Sequence, residues 1–130
     1  MIEEWKFYGK YYETDGVPIQ LWGPGMTLND YQELSHKTSG DVEIGGRYEI
    51  YPLLGLAGEV GELLNKVKKY YRDGEANDSG IKGELGDILW YLAEFCSQSD
   101  FTLEEVAQYN LDKLKHRAEK GTIHGSGDER

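Results

Sequence analysis

A seven-residue near-repeat constrains this chain more than any other feature of its sequence. The segment GEVGELL at residues 58–64 recurs as GELGDIL at residues 83–89. Each copy carries two acidic residues three positions apart, beside apolar residues at helical spacing. Because side chains at i and i+3 lie on one side of a helix, each acidic pair faces one way. The repeat therefore predicts two helices that pack together along a shared acidic seam.

The acids of the two copies predict a metal site, formed by Glu59, Glu62, Glu84 and Asp87. Four ionised carboxylates in one seam repel each other, and burying an uncompensated charge is costly. A hard divalent cation relieves both penalties, and carboxylate-only ligation favours Mg²⁺ or Mn²⁺ over zinc or copper. A lone acidic pair on a helix is usually a solvated face. The matched second copy favours a site instead.

The glycines and histidines also indicate what kind of site this acidic seam forms. The glycines at 58, 61, 83 and 86 each cost a helix about 1 kcal/mol relative to alanine, and we expect them to permit close backbone approach around a metal or phosphate. A ferritin-like di-iron bundle would need Glu-x-x-His on two helices. His36, His116 and His124 do not follow the paired acids at that spacing, so magnesium fits better than iron.

Apolar residues at helical spacing predict an all-α fold, a four-helix bundle. The first helix follows Thr27 as N-cap, and the second runs from Pro52 to about Arg72. The third runs from about Ile81 to Ser97. The fourth follows a capping box of Thr102 and Glu105 and ends at Gly121. The expected buried faces comprise Leu53, Leu56, Val60, Leu63, Leu64, Val67 and Tyr70 in the second helix, Ile81, Leu85, Ile88, Leu89, Leu92 and Phe95 in the third, and Leu103, Val106, Ala107, Leu111, Leu114 and Ala118 in the fourth.

Composition divides the chain into three regions. Residues 1–25 are rich in aromatic residues and glycine and predict an extended or hairpin-like arm, residues 26–120 predict the helical domain, and residues 121–130 predict a flexible glycine-rich tail. Within the helical domain, residues 40–51 carry three glycines and predict a loop or short ribbon.

Length and charge limit the classes of partner. A helical domain within 130 residues often completes its core by association, so we expect a homodimer or homotetramer. The net charge of −10, from 14 basic and 24 acidic residues, argues against nucleic acid as a partner. No apolar run is long enough for a membrane span, and the single cysteine, Cys96, excludes an internal disulfide and is consistent with a cytoplasmic protein.

The acidic pairs in their helical setting resemble those of the MazG-like all-α NTP pyrophosphohydrolases, whose relatives include dimeric dUTPases and dCTP pyrophosphatases. That family's pattern of ExxE followed by ExxD is matched by Glu59-x-x-Glu62 in GLAGEVGELLNKVKK and by Glu84-x-x-Asp87 in KGELGDILWYLAEF. The stretch LEEVAQYNLDKLKHR is similar to the family's last helix. The resemblance covers about residues 26–117.

The resemblance implies Mg²⁺-dependent hydrolysis of an NTP or dNTP to the monophosphate and pyrophosphate. The four paired acids would bind Mg²⁺, and either Glu59 or Glu62 would act as the catalytic base. Tyr91 is similar to a substrate-contacting tyrosine in relatives, although simple packing explains it equally well.

Further substrate contacts are expected from the polar face of the last helix and from two other cations. The candidates are Asn110, Lys113, Arg117, Lys66 and Arg130. Each has a plainer explanation: the first three as solvated helix residues, Lys66 as a partner in an i, i+4 ion pair, and Arg130 as part of a polar terminus.

The family resemblance does not predict which nucleobase the protein prefers. The aromatic arm, with Trp5, Phe7, Tyr8, Tyr11, Tyr12 and Trp22, has no counterpart in the family, and interface or core packing is the favoured role for it. A purine deoxynucleotide such as dGTP is weakly preferred, because aromatic surroundings suit a large base. Two alternatives stay open: a non-catalytic regulatory bundle that binds metal or nucleotide, and a helical adaptor whose acidic pairs are solvated.

Overall fold

Helix-capping residues set the boundaries of the first and last helices. The computed structural model describes residues 23–127, so most of the predicted arm and Arg130 lie outside the described residues. Helix α1 spans Leu28–His36, and the Thr27 hydroxyl accepts a hydrogen bond from the backbone N–H of Asp30. Helix α4 spans Leu103–Glu119 and begins with the predicted capping box of Thr102 and Glu105. Both predicted N-caps are confirmed.

The two helices that carry the acidic repeat are α2, Ile50–Asp73, and α3, Asp78–Gln98. Helix α2 ends at Gly74, whose φ of 73° is the left-handed conformation that glycine adopts readily. Helix α3 begins three residues before the predicted Ile81, because the Asn77 side chain accepts a hydrogen bond from the backbone N–H of Gly80.

The segment between α1 and α2 forms the predicted loop with a minimal ribbon. Ile44 and Arg47 pair as an isolated antiparallel bridge, with N···O distances of 2.9 and 3.1 Å. Gly45 and Gly46 make the turn between them, both at positive φ. This segment leads the chain to the start of α2.

Helix α3 is the centre of the packing. Helix α2 makes the most extensive contact with it, α1 packs against it from another side, and α4 contacts α1. A cluster of buried apolar residues, Ala93, Cys96 and Leu103, lies at the C-terminal end of α3 and the start of α4, and Tyr31 and Leu92 pack against it. The predicted all-α class is confirmed. Across residues 23–127, no helix is both long and apolar enough to cross a bilayer.

Several residues of the predicted apolar faces are exposed in the described chain, and that part of the prediction is wrong for a single copy. Helix α4 contacts α1 rather than closing over α2, so the four described helices leave much of this apolar surface uncovered. The exposed members are Leu53, Val60, Leu64 and Tyr70 in α2, Leu85 and Leu89 in α3, and Val106, Leu111, Leu114 and Ala118 in α4.

A buried glutamine ties α1 to the turn between α3 and α4. The Gln32 side-chain amide donates to the Ser97 hydroxyl at 3.1 Å and to the Phe101 carbonyl at 2.8 Å. Its carbonyl oxygen accepts the backbone N–H of Leu103 at 2.7 Å. That N–H belongs to the first turn of α4, where helix geometry provides no acceptor. Gln32 therefore fixes the position of α4 on α1.

We expect Gln32→Met to lower the free energy of unfolding by about 1–3 kcal/mol, because it leaves the Phe101 carbonyl and the Leu103 N–H without their partner. Urea denaturation measures the change. The matched control is Gln108→Met on the exposed face of α4, which should alter stability by about 0.5 kcal/mol or less. Equal losses in the two variants would contradict the role assigned to Gln32.

Candidate functional site

Packing of α2 on α3 brings three of the four predicted acids together. One carboxylate oxygen from each of Glu59, Glu84 and Asp87 lies within 4.8 Å of the other two. We call these three residues the acidic cluster. Glu62 is exposed and is not part of it. An i, i+3 offset rotates a side chain by about 60° and moves it about 4.5 Å along the helix. Glu84 and Asp87 have the same offset and both belong to the acidic cluster, so this spacing alone does not decide which acids the cluster includes.

Burial and neighbouring carboxylates both destabilise the charged form of Glu59 in the acidic cluster. The pKa of Glu59 is raised above its usual value, first by partial burial, then by a hydrogen bond with Glu84 and by the charges of Asp87, Glu84 and Glu62. Each of these effects disfavours the ionised form of Glu59. A cation placed among the three carboxylates would remove the penalty.

Lys66 supplies positive charge to one side of the cluster. Its Nζ lies 2.9 Å from a carboxylate oxygen of Glu84, and this hydrogen bond holds the pKa of Glu84 below its usual value. The ion pair joins α2 to α3, so it differs from the i, i+4 pair considered from the sequence. Lys66 is therefore part of the site's immediate surroundings.

A cleft of about 330 Å³ opens beside the cluster, lined by Glu59, Asp87, Trp90 and Tyr91. Tyr91 is half-buried, and burial is the main reason that its pKa is raised, followed by a hydrogen bond with Tyr51. The tyrosine thus packs within the fold and also lines the cleft. The cleft lining therefore combines two carboxylates with two aromatic rings.

Trp90 is the cleft residue that the sequence analysis missed. Its indole Nε1 donates to the Thr38 hydroxyl at 2.7 Å, and its ring meets that of Tyr91 edge to face, with centroids 4.9 Å apart. The available signal was spacing, because Trp90 follows Asp87 by three residues and so shares its side of α3. The indole is held in one orientation at the edge of the cleft.

The predicted contacts on α4 lie elsewhere. Asn110 is exposed, Lys113 is half-buried, and neither lines the cleft in the part of the chain that the structure describes. Arg117 was expected on the exposed polar face, but it is buried, with Nη2 3.5 Å from the Gly127 carbonyl oxygen. The expectation of an exposed Arg117 is wrong, because α4 turns this side chain inward toward Gly127 of the tail.

The close backbone approach expected from the repeat glycines occurs at a different glycine. A Cβ atom added at position 58, 61, 83 or 86 would have nothing within 4 Å among the described residues. A Cβ at Gly55, one turn before Glu59, would collide with the ring of Tyr91. Gly55 therefore makes room for the tyrosine that lines the cleft.

The chain matches a known protein family and a known phage protein. Residues 51–122, more than half of the chain, match the family described as the MazG nucleotide pyrophosphohydrolase domain, and this span contains both acidic pairs. The chain is also 46% identical over 85 residues to the Gene 37 protein of Mycobacterium phage L5, covering 62% of this chain and 75% of that protein. No solved structure matches the chain.

Two glycine substitutions on α2 test the packing of Tyr91. Gly58→Ala should raise the free energy of unfolding by about 1 kcal/mol, because alanine favours a helix and the added methyl meets open space. Gly55→Ala gains the same propensity but crowds the Tyr91 ring, so it should fall about 1–3 kcal/mol below Gly58→Ala. Urea denaturation compares them. Equal gains in both variants would show that Gly55 does not make room for Tyr91.

Proposed function

Since the chain belongs to the MazG nucleotide pyrophosphohydrolase family, we propose that it hydrolyses a nucleoside triphosphate to the monophosphate and pyrophosphate with Mg²⁺. One observation carries the proposal: two residues of the acidic cluster, Glu59 and Asp87, line a cleft together with the rings of Trp90 and Tyr91. A nucleotide has matching parts, since its phosphates need cations and its base stacks on aromatic rings.

The residues of the acidic cluster fit a hard divalent cation. Their ligand atoms are all carboxylate oxygens, the type that Mg²⁺ and Mn²⁺ prefer, and their mutual repulsion favours a cation between them. When bound, the ion supplies positive charge for a triphosphate and lowers the pKa of water. Glu62, one turn away, adds negative charge that is felt at Glu59, and it belongs to the proposal as an outer ligand.

Glu59 is the base in this proposal. Among the described residues it lines the cleft, whereas Glu62 does not, so it is the better placed of the two to take a proton from water in the cleft. Glu59 takes a proton from the attacking water as the water oxygen bonds to phosphorus. The anhydride bond between the α- and β-phosphates breaks, and the electron pair leaves with pyrophosphate.

The aromatic rings that line the cleft are assigned to the nucleobase. Tyr91 and Trp90 lie on the wall of the cleft, and the hydrogen bond to Thr38 fixes the indole. A large purine base gains more stacking area than a pyrimidine, so a purine dNTP such as dGTP is the preferred substrate. Lys66, held by Glu84, is close enough to the cluster to turn toward a phosphate once a metal neutralises Glu84.

The proposal also includes association between copies of this chain. Asn110 and Lys113 do not line the cleft within the described residues of one chain, so they would reach a triphosphate only from the α4 helix of a neighbouring copy. The buried Arg117 would then position this helix, and Arg130 would act from the tail. The exposed apolar faces of α2 and α3 support a homodimer or homotetramer, and a free, buried Cys96 is compatible with a cytoplasmic location.

A panel of NTPs and dNTPs with Mg²⁺ tests the reaction, with monophosphate and pyrophosphate measured as products. We expect turnover that is highest with purine dNTPs and is abolished by EDTA. Glu59→Gln and Asp87→Asn should lower kcat/KM at least about a hundred-fold, because each removes a charge from the acidic cluster.

The control for this panel is Glu33→Gln, an exposed acid on α1, which should leave turnover unchanged. Nucleotide binding without turnover of any substrate would contradict hydrolysis and favour a regulatory binding protein. Full activity in Glu59→Gln would remove that residue from the proposed mechanism.

Light scattering coupled to size-exclusion chromatography tests the association. Leu64 on α2 is 62% exposed, a costly arrangement for an apolar side chain unless a neighbouring copy covers it. We expect a dimer or tetramer for the natural chain and a shift toward monomer in Leu64→Glu. Lys68→Glu, an exposed site on the same helix, is the control. A monomeric natural chain would contradict this part of the proposal.

A further inference from the structure

A second group of potential ligands lies away from the acidic cluster, where α1 meets α3. One ligand atom from each of His36, Asp41 and Glu94 lies within 4.8 Å of the other two. His36 is the last residue of α1, Asp41 lies in the loop that follows, and Glu94 belongs to α3. Glu94 follows Asp87 by seven residues, about 10 Å along the helix axis. The two groups are therefore separate.

Burial distinguishes this group from an ordinary set of surface acids. The Glu94 side chain is only 4% exposed, and its Oε2 lies 2.9 Å from Nδ1 of His36. A buried carboxylate requires compensation by charge or by hydrogen bonds. The His36 side chain is 44% exposed, and Asp41 is exposed as well, so the group opens to solvent on one side. A small cation has a path to the buried carboxylate.

Gln98 completes the group from the next turn of α3. Its Nε2 lies 2.8 Å from Oε1 of Glu94 and 2.9 Å from Oδ1 of Asp41, so it bridges the two acids. The nitrogen and oxygen of a glutamine amide exchange places by rotation about the last side-chain bond. Rotation would present the amide oxygen as a fourth potential ligand in the same position.

The ligand types identify the class of cation. An imidazole nitrogen combined with carboxylate oxygens suits borderline transition ions such as Zn²⁺, which bind nitrogen ligands well. Mg²⁺ prefers ligand sets made of oxygen alone, as in the acidic cluster. The two groups therefore favour different cations within one chain.

We propose that His36, Asp41 and Glu94 form a transition-metal site, of the Zn²⁺ class, that fastens α1 and its following loop to α3. Binding exchanges the hydrogen bond between Nδ1 of His36 and Glu94 for coordination of both atoms, so Nδ1 must be free of hydrogen. A bound metal would also affect the wall of the cleft. Thr38, which holds the indole of Trp90, lies between His36 and Asp41 in sequence, so a metal there would stiffen the wall of the cleft.

Thermal unfolding of the full chain, first stripped with chelator, tests the site with ZnCl₂ as the added probe. We expect Zn²⁺ to raise the Tm of the natural chain by at least about 4 °C, because a ligand that binds only the folded state stabilises it. His36→Gln and Asp41→Asn should lose most of this increase. Two controls should keep it: His116→Gln, an exposed histidine on α4, and Glu84→Gln in the acidic cluster.

Co²⁺ provides a second measurement that does not depend on stability or on hydrolysis. Its visible absorption should report an imidazole ligand in the natural chain and in His116→Gln, and should lose that signal in His36→Gln. If Zn²⁺ leaves the Tm of the natural chain unchanged, the three residues form a hydrogen-bonded group only, and the proposal is overturned. An equal Zn²⁺ shift in His36→Gln overturns it as well. Asp41→Asn, in an exposed loop, keeps the test decisive if His36→Gln does not fold.

Discussion

Repulsion between carboxylates at the contact of α2 and α3 is the constraint on which the rest of the site depends. Glu59, Glu84 and Asp87 are held within 4.8 Å of one another by two helices that form the most extensive contact in the fold. Lys66 offsets part of the charge through Glu84, while the pKa of Glu59 is raised first by partial burial, then by its hydrogen bond with Glu84 and by the neighbouring carboxylate charges. Helix packing therefore maintains an arrangement that is costly without a cation, and a bound divalent ion would convert that cost into affinity.

The aromatic wall of the cleft depends on the same two helices. Gly55 on α2 leaves room for the Tyr91 ring on α3, and Trp90 meets that ring edge to face. The loop after α1 reaches this wall through Thr38. Since α1 is also joined to α3 by His36 and Glu94, the orientation of the indole depends on how firmly α1 is attached. The contact between α1 and α3 therefore bears on both the stability of the fold and the shape of the cleft wall.

Much of the fold could be predicted from the sequence, because local patterns determine it. The caps at Thr27 and Thr102 and the acidic repeat are readable within a few residues, and the helices lie where those patterns place them. The extent of burial could not be predicted, because it depends on which helices contact each other. Helix α4 packs against α1, which leaves Leu111 and Leu114 exposed and turns Arg117 inward.

Long-range polar contacts could not be predicted from the sequence either. Gln32 and Leu103 are 71 residues apart, and His36 and Glu94 are 58 apart, so no local spacing in the sequence predicts either pair.

The proposed site requires that α2 and α3 jointly hold a divalent cation. Anomalous diffraction from crystals grown with Mn²⁺ tests it most directly. We expect an anomalous peak in contact with carboxylate oxygens of Glu59, Glu84 and Asp87. Well-ordered density for these side chains, with no peak between them at saturating Mn²⁺, would contradict it.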